Sequence, residues 1–276
     1  PRLQTKALPP KLKRQATRKK PHFVSSHLKC LIGVNVAAIL IILLLIVLLV
    51  FFRSPPSPTE APSTAVCWTT REVKEYPSYI IIPAGRCNDE ADTVLDLRRF
   101  QSLEYLEIGA ESFLHVEAIN LQEMSKLERV VIGQNCFTQK NGTLLLAQSS
   151  ALKELVVGDG SLAQFTQLDV AGCSALESVE LGSHVLFNSN EFTAVNLPKL
   201  EHITIGDNCF NGKNGTFEVR NCPSLTQIKT GLKSFPLFTD CIIEEVASLE
   251  SIEMGDLIND NQCFAFYLGS IQLKSE

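Results

Sequence analysis

The chain has 276 residues, 45% of them hydrophobic, which is enough for a sizeable packed core. Its net charge of −5 describes neither of two unlike parts: residues 1–30 carry nine Lys or Arg and no acid, whereas residues 53–276 carry sixteen bases and all 30 acids. That large part is acidic and repels phosphate backbones, so nucleic acid is not among its expected partners.

The first 30 residues cluster Lys11, Lys13, Arg14, Arg18, Lys19 and Lys20 and contain prolines at 9, 10 and 21. With little to pack, this stretch reads as a disordered cytoplasmic tail that flanks a membrane span. A basic juxtamembrane segment also suits anionic lipid. Leu31 to Phe52 follows with no charge and one polar side chain, Asn35. About 20 apolar residues cross a bilayer as a helix, and the stretch is too long for a cleaved signal peptide. It is expected to be an uncleaved signal-anchor over 31–52. The bases on its N-terminal side keep that side in the cytoplasm. The remainder is then lumenal or extracellular, at the plasma membrane or an endomembrane, in a single-pass type II orientation.

Residues 53–66 form a Pro/Ser/Thr-rich stalk, an extended spacer by composition. Residues 67–97 precede the first full repeat and are expected to cap the repeat array. They hold Trp68, the apolar run Tyr79-Ile-Ile-Ile82, Cys67 and Cys87. Eight of the nine cysteines follow the apolar span, on the side expected to be oxidising, and Cys67–Cys87 is the favoured disulfide. Cys136 with Cys209, and Cys173 with Cys222, occupy matching slots of repeats three and two apart. At about 4.8 Å per stacked strand they are too distant to bridge, since a disulfide needs Cα atoms within about 7 Å. These four are expected to be buried thiols.

From residue 98 to 276 the chain repeats one phrase, Leu-x-x-φ-x-φ-Gly with φ apolar. It stands at Leu103–Gly109, Leu127–Gly133, Leu152–Gly158, Leu176–Gly182, Leu200–Gly206 and Leu249–Gly255, with a weaker copy at Leu225–Gly231 where Thr230 replaces the second φ. The closing glycines are 24 or 25 residues apart, the mark of a solenoid. The alternation predicts a strand with the Leu and both φ residues inward and a tight turn at the Gly, with φ > 0 where the turn needs it. An aromatic plug is expected next, at Phe113, Phe137, Phe187, Phe210 and Phe235, with Leu162 in one coil. A second short strand, such as Phe192–Leu197 or Phe217–Val219, completes the coil. No period of 3.6 is visible, so the fold class is mainly β, a solenoid of about seven 24-residue coils.

These phrases resemble the leucine-rich repeat family, whose pattern L-x-x-L-x-L-x-x-N is matched by Leu127, Val130, Ile132 and Asn135, and by Leu200, Ile203, Ile205 and Asn208. Elsewhere the Asn slot holds Glu111, Gly160, His184, Lys233 or Leu257. The Gly followed by a plugging Phe is similar to the BspA-like surface proteins of bacteria and protists. The resemblance implies a right-handed stack of parallel strands used for adhesion or recognition, without catalytic residues.

No catalytic or metal-binding motif is present, and no cofactor is expected: the histidines are scattered, and there is no C-x-x-C, H-E-x-x-H, P-loop or G-x-S-x-G. What the repeat supplies is a surface. One outward column reads Glu104, Glu128, Lys153, Glu177, Glu201, Thr226, Glu250, and a neighbouring one Glu107, Val131, Val156, Glu180, Thr204, Lys229, Glu253. The candidate binding face is Glu104, Tyr105, Glu128, Arg129, Glu177, Glu201, His202 and Glu250, since Arg and aromatics anchor interfaces; the competing reading is charge kept for solubility. Asn141-Gly-Thr143 and Asn214-Gly-Thr216 are glycosylation sequons at matching turns three coils apart.

The functional expectation is a membrane-anchored, non-catalytic recognition or adhesion protein binding a protein or surface glycan. The alternatives are a ligand-sensing module of a larger receptor or enzyme, the sequence being a fragment of a longer product, and a self-assembling protein joined through the array's open end.

Overall fold

The computed structural model describes residues 77–255, 265–267 and 269–274. The tail, the apolar run 31–52, the stalk, Cys67 and Trp68 lie outside the described residues. No helix among the described residues is long and apolar enough to cross a membrane.

The described chain is built of strand pairs. The first coil contains β1 (Tyr79–Ile82) and β2 (Val94–Asp96), the second β3 (Tyr105–Ile108) and β4 (Ala118–Asn120). The third and fourth contain β5 (Arg129–Ile132) with β6 (Thr143–Leu145) and β7 (Glu154–Val157) with β8 (Gln167–Asp169). Next come β9 (Ser178–Leu181) with β10 (Glu191–Val195), then β11 (His202–Ile205) with β12 (Gly215–Arg220). The last two pairs are β13 (Gln227–Thr230) with β14 (Phe238–Glu244), and β15 (Ser251–Met254) with β16 (Ser270–Lys274). All odd strands form one eight-stranded parallel sheet, and successive strands are one turn apart. The fold is therefore a mainly β solenoid of about seven turns, with no helix among the described residues. The stretch expected to cap the array supplies, in its described part, β1 and β2. These pair in register with β3 and β4, as any repeat does.

The inward alternation holds in every complete coil. Leu103, Leu106 and Ile108 are buried, as are Leu200, Ile203 and Ile205, while residues between them face out. In the last coil the inward column opens: Ile271 and Leu273 are 51% and 61% exposed, although their register partners Cys241 and Ile243 are 0% and 1% exposed.

Two expectations about the turn are corrected. First, the closing glycines 109, 133, 158, 182, 206 and 231 do not have positive φ; of that column only Gly255 does. They are glycine because consecutive coils touch there. A Cβ on Gly206 would sit 2.6 Å from the carbonyl carbon of Gly182 and from the amide nitrogen of Ser183, both backbone atoms that cannot step aside.

The left-handed residues come two and four places later. Glu111, Asn135, Gly160, His184, Asn208 and Lys233 have φ between 54° and 71°, and the plug residues have φ of 50–60°. The two positions aim amides in opposite directions along the stack. Glu111, Asn135, His184 and Asn208 donate forward to the carbonyls of Gln134, Asp159, Asp207 and Leu232, whereas Phe113, Leu162 and Phe235 donate backward to Arg86, Cys136 and Cys209. A left-handed Phe is costly in isolation, and here the amides of Phe113, Phe210 and Phe235 each bond to the preceding coil. The Asn slot of the phrase is this forward-donating position. Asn135 is exposed, so the slot forms no buried Asn ladder in its coil.

Second, the plug of the fifth coil is Leu186, not Phe187. Leu186 is fully buried at φ 50°, whereas Phe187 is 37% exposed and stacks on His184. Counting four residues from the Gly gives Phe113, Phe137, Leu162, Leu186, Phe210 and Phe235, and Phe187 falls one place beyond. Cys87 takes this slot in the first coil at φ 60°. The rings stack where they are consecutive: Phe113 on Phe137 at 5.4 Å and Phe210 on Phe235 at 4.9 Å between centroids.

Thr230, the one irregular φ position, is 1% exposed and its hydroxyl has no hydrogen-bond partner. A buried unsatisfied hydroxyl costs on the order of 1–3 kcal/mol. Thr230→Val keeps the shape and should raise stability by about 1 kcal/mol, measured as a higher urea midpoint at unchanged m-value.

Candidate functional site

The outward face of the eight-stranded sheet carries the residues singled out from the sequence. Glu104, Glu128, Lys153, Glu177, Glu201, Thr226 and Glu250 form one column, just before their strands, in which each amide donates to the carbonyl of the residue one coil earlier. Tyr105, Arg129 and His202 belong to the next column, which in register order reads Tyr79, Tyr105, Arg129, Glu154, Ser178, His202, Gln227, Ser251. The third column is Ile81, Glu107, Val131, Val156, Glu180, Thr204, Lys229, Glu253. The expected rows are therefore present.

The eight candidate residues do not form one patch. Glu104, Tyr105, Glu128 and Arg129 adjoin each other on β3 and β5. Glu177, just before β9 and two strands further on, adjoins Glu201 and His202 at β11, which are 3.9 Å apart, and Glu250 lies two strands beyond them. Around β3 to β7 the polar groups are linked. The Tyr105 hydroxyl donates to Glu107 at 2.6 Å, and the Arg129 guanidinium grips Glu154 at 2.8 and 3.0 Å while lying 5.9 Å from the Tyr105 ring. Lys153 pairs with Glu128 at 2.8 Å. Partial burial, with the Glu107 carboxylate second, pushes the Tyr105 hydroxyl up to about 12, so it stays a donor at physiological pH.

Sequence reasoning missed the apolar part of this face. Tyr79 and Ile81 were read only as part of a strand in the cap. Both point outward, 44% and 45% exposed, and the Tyr79 ring lies 6.1 Å from that of Tyr105. Val131 and Val156 continue the column. The available signal was the match of Tyr79-Ile-Ile-Ile82 to Tyr105-Leu-Glu-Ile108, which lacks only the leading Leu and closing Gly of the phrase.

On the opposite wall the even strands form two sheets, β2-β4-β6-β8 and β10-β12-β14-β16. The Ser189 hydroxyl lies at the break, where it accepts from the Glu191 amide and is 3.0 Å from both the Thr166 and the Glu191 carbonyls. The crevice left between β8 and β10 has a volume of about 260 Å³ and includes Asp169, Glu191 and Thr193. Asp169 accepts from the Ala171 amide at 3.0 Å, and Glu191 from the Thr193 hydroxyl at 3.2 Å. Among the described residues no three His, Cys, Asp or Glu side chains are placed to hold a metal ion.

The two sequons occupy equivalent places. Asn141 and Asn214 are exposed at φ 56° and 54°, two residues before β6 and one before β12. Packing explains the rest of the motif: a Cβ on Gly142 would enter the Phe165 ring and one on Gly215 the Phe238 ring. Asn tolerates the left-handed turn and Gly admits the ring, so the fold itself selects Asn-Gly here.

The cysteines divide as their slots suggest. Cys136, Cys173, Cys209, Cys222 and Cys241 are buried free thiols. Cys136 and Cys209 share a column with Ser112, Ser161 and Ser234, and each side chain donates to a carbonyl of the preceding coil, Cys136 to Gly109 and Cys209 to Gly182, both at 3.2 Å. Burial pushes the thiols of Cys173, Cys209 and Cys241 up to about 12 and raises Cys136 and Cys222 in the same direction. These five should therefore resist iodoacetamide at pH 8 in the folded chain and react in denaturant. Peptide mass mapping of labelled chain before and after urea checks this. Cys87 is buried in the first coil, and its expected partner, Cys67, lies outside the described residues.

No family model matches this chain, and no curated protein and no solved structure does so either.

Proposed function

We propose that this is a membrane-anchored recognition or adhesion protein that works through the outward face of its eight-stranded sheet, without catalysis. The observation that carries this reading is the face itself. Seven turns set outward side chains in rows one strand apart, a surface suited to an extended or curved partner. The fold reading that accompanies it is a right-handed stack of the leucine-rich repeat type. The anchor is the 31–52 apolar run, with the basic tail in the cytoplasm against anionic lipid and the repeats lumenal or extracellular. In that compartment Cys67 pairs with Cys87, and Asn141 and Asn214 carry glycans. The ligand class is a protein or a surface glycan.

The test is a glycosidase mobility shift on the expressed full chain beside a Thr143→Ala/Thr216→Ala double variant, which removes both sequons while leaving the left-handed asparagines in place. A shift lost in the variant supports the lumenal assignment. Digestion of the repeats by protease added outside sealed microsomes, with no shift, would invert the topology and remove the surface role.

A further inference from the structure

The outward face changes character along the stack. On β1, β3, β5 and β7 the two outward columns hold Tyr79, Tyr105, Arg129, Glu154 and Ile81, Glu107, Val131, Val156, so five of eight positions are aromatic or aliphatic. On β9, β11, β13 and β15 the same columns hold Ser178, His202, Gln227, Ser251 and Glu180, Thr204, Lys229, Glu253, and none is apolar. Nothing in the stacking requires this asymmetry, because these side chains point away from the core. Tyr79 and Ile81 are exposed, Tyr105, Val131 and Val156 are half-buried, and Glu107 stands between Ile81 and Val131. Apolar groups gathered on one half of an otherwise polar wall mark an interaction site.

The rim is acidic. On β3, β5 and β7 and the residues just before them there are Glu104, Glu107, Glu128 and Glu154 against Arg129 and Lys153, a net of −2. Both bases are already paired with acids of the same face, Arg129 with Glu154 and Lys153 with Glu128. Four strands at about 4.8 Å spacing make a strip roughly 14 Å long between outer strand axes and one side-chain repeat wide. That matches one extended segment lying across the strands. Apolar groups of such a segment meet the Ile81, Val131 and Val156 column and the Tyr79–Tyr105 rings; its cations meet the glutamates.

We propose that the first four strands of this sheet bind an extended segment of a partner protein that combines Lys or Arg with aliphatic side chains. The inference rests on the outward-face reading above and adds the half of the face used and the chemistry it takes. An area this small gives weak binding by itself. The attraction is partly Coulombic and falls as salt rises.

The experiment is fluorescence anisotropy of the detergent-solubilised full chain with a labelled synthetic peptide alternating Lys and Val. A peptide alternating Glu and Val is the charge control. Ile81→Lys/Val156→Lys alters the proposed strip, and Thr204→Lys/Ser251→Lys alters the polar half; all four positions face outward. The expected result is salt-sensitive binding of the Lys-Val peptide only, weakened at least about tenfold by the strip variant and unchanged by the other. Failure of the Lys-Val peptide to bind, or equal binding of the Glu-Val peptide, overturns the proposed chemistry. Loss in Thr204→Lys/Ser251→Lys alone overturns the location and leaves the outward-face reading standing. Binding unaffected by either variant removes both readings. A dimer in sedimentation that the strip variant abolishes overturns the proposal in favour of a second copy as occupant.

Discussion

Phe210→Ala should cost about 3–5 kcal/mol of stability, while Phe187→Ala, a Phe one repeat away, should cost less than about 0.5 kcal/mol. Phe210 is fully buried, stacks on Phe235 at 4.9 Å and meets Phe192 and Phe238 edge-on at 5.6 and 6.2 Å. Truncation leaves a cavity that the close-packed coils on either side cannot collapse into, and it also removes ring–ring geometry worth roughly 0.5–1.5 kcal/mol per pair. Phe187 lies one position past the plug slot, on the surface beside His184. Urea unfolding followed by far-ultraviolet circular dichroism measures both variants. Equal losses would mean that the plug register of the fifth coil is misassigned.

Gly206→Ala should destabilise by at least about 3 kcal/mol, at the upper end of what overpacking does. One methyl group there meets two backbone atoms of the preceding coil at 2.6 Å, so the coils must part or shift register. Gly85→Ala is the informative contrast. Gly85 has φ +69°, yet its Cβ would meet nothing within 4 Å, leaving only left-handed strain of about 1–2 kcal/mol. If closing glycines served only to allow positive φ, the order would reverse. The same unfolding measurement decides.

The contrast between these glycines shows what the sequence made legible. Period, strand direction and inward alternation were readable because side-chain volume and polarity encode them: Leu, φ and φ point in wherever the phrase occurs. The outward columns followed from parallel register alone. The role of the glycines was not readable, since the atom that a Cβ would strike belongs to another coil 24 residues away. The left-handed pair was hidden for a related reason. Its strain is offset by hydrogen bonds to neighbouring coils, so residues as unlike as Glu111, His184 and Asn208 share one conformation. Phe187 misled because hydrophobicity identified a Phe, whereas spacing from the Gly identifies Leu186. Of the candidate site, the charged members were found by their recurrence. Tyr79 and Ile81 were passed over because their strand lacks the leading Leu and closing Gly that announce the other copies.

The outward rows exist only if each coil advances the stack by one strand spacing. Pulsed electron–electron resonance between spin labels at Glu107 and Glu253, introduced as unnatural amino acids to avoid the native thiols, measures this directly. The two positions are joined through Val131, Val156, Glu180, Thr204 and Lys229, six register steps. At about 4.8 Å per step the backbones are roughly 29 Å apart. A single narrow distance near 3 nm is the predicted result. A broad distribution, or a peak well beyond 4 nm, would contradict the stacked array and the binding face built on it.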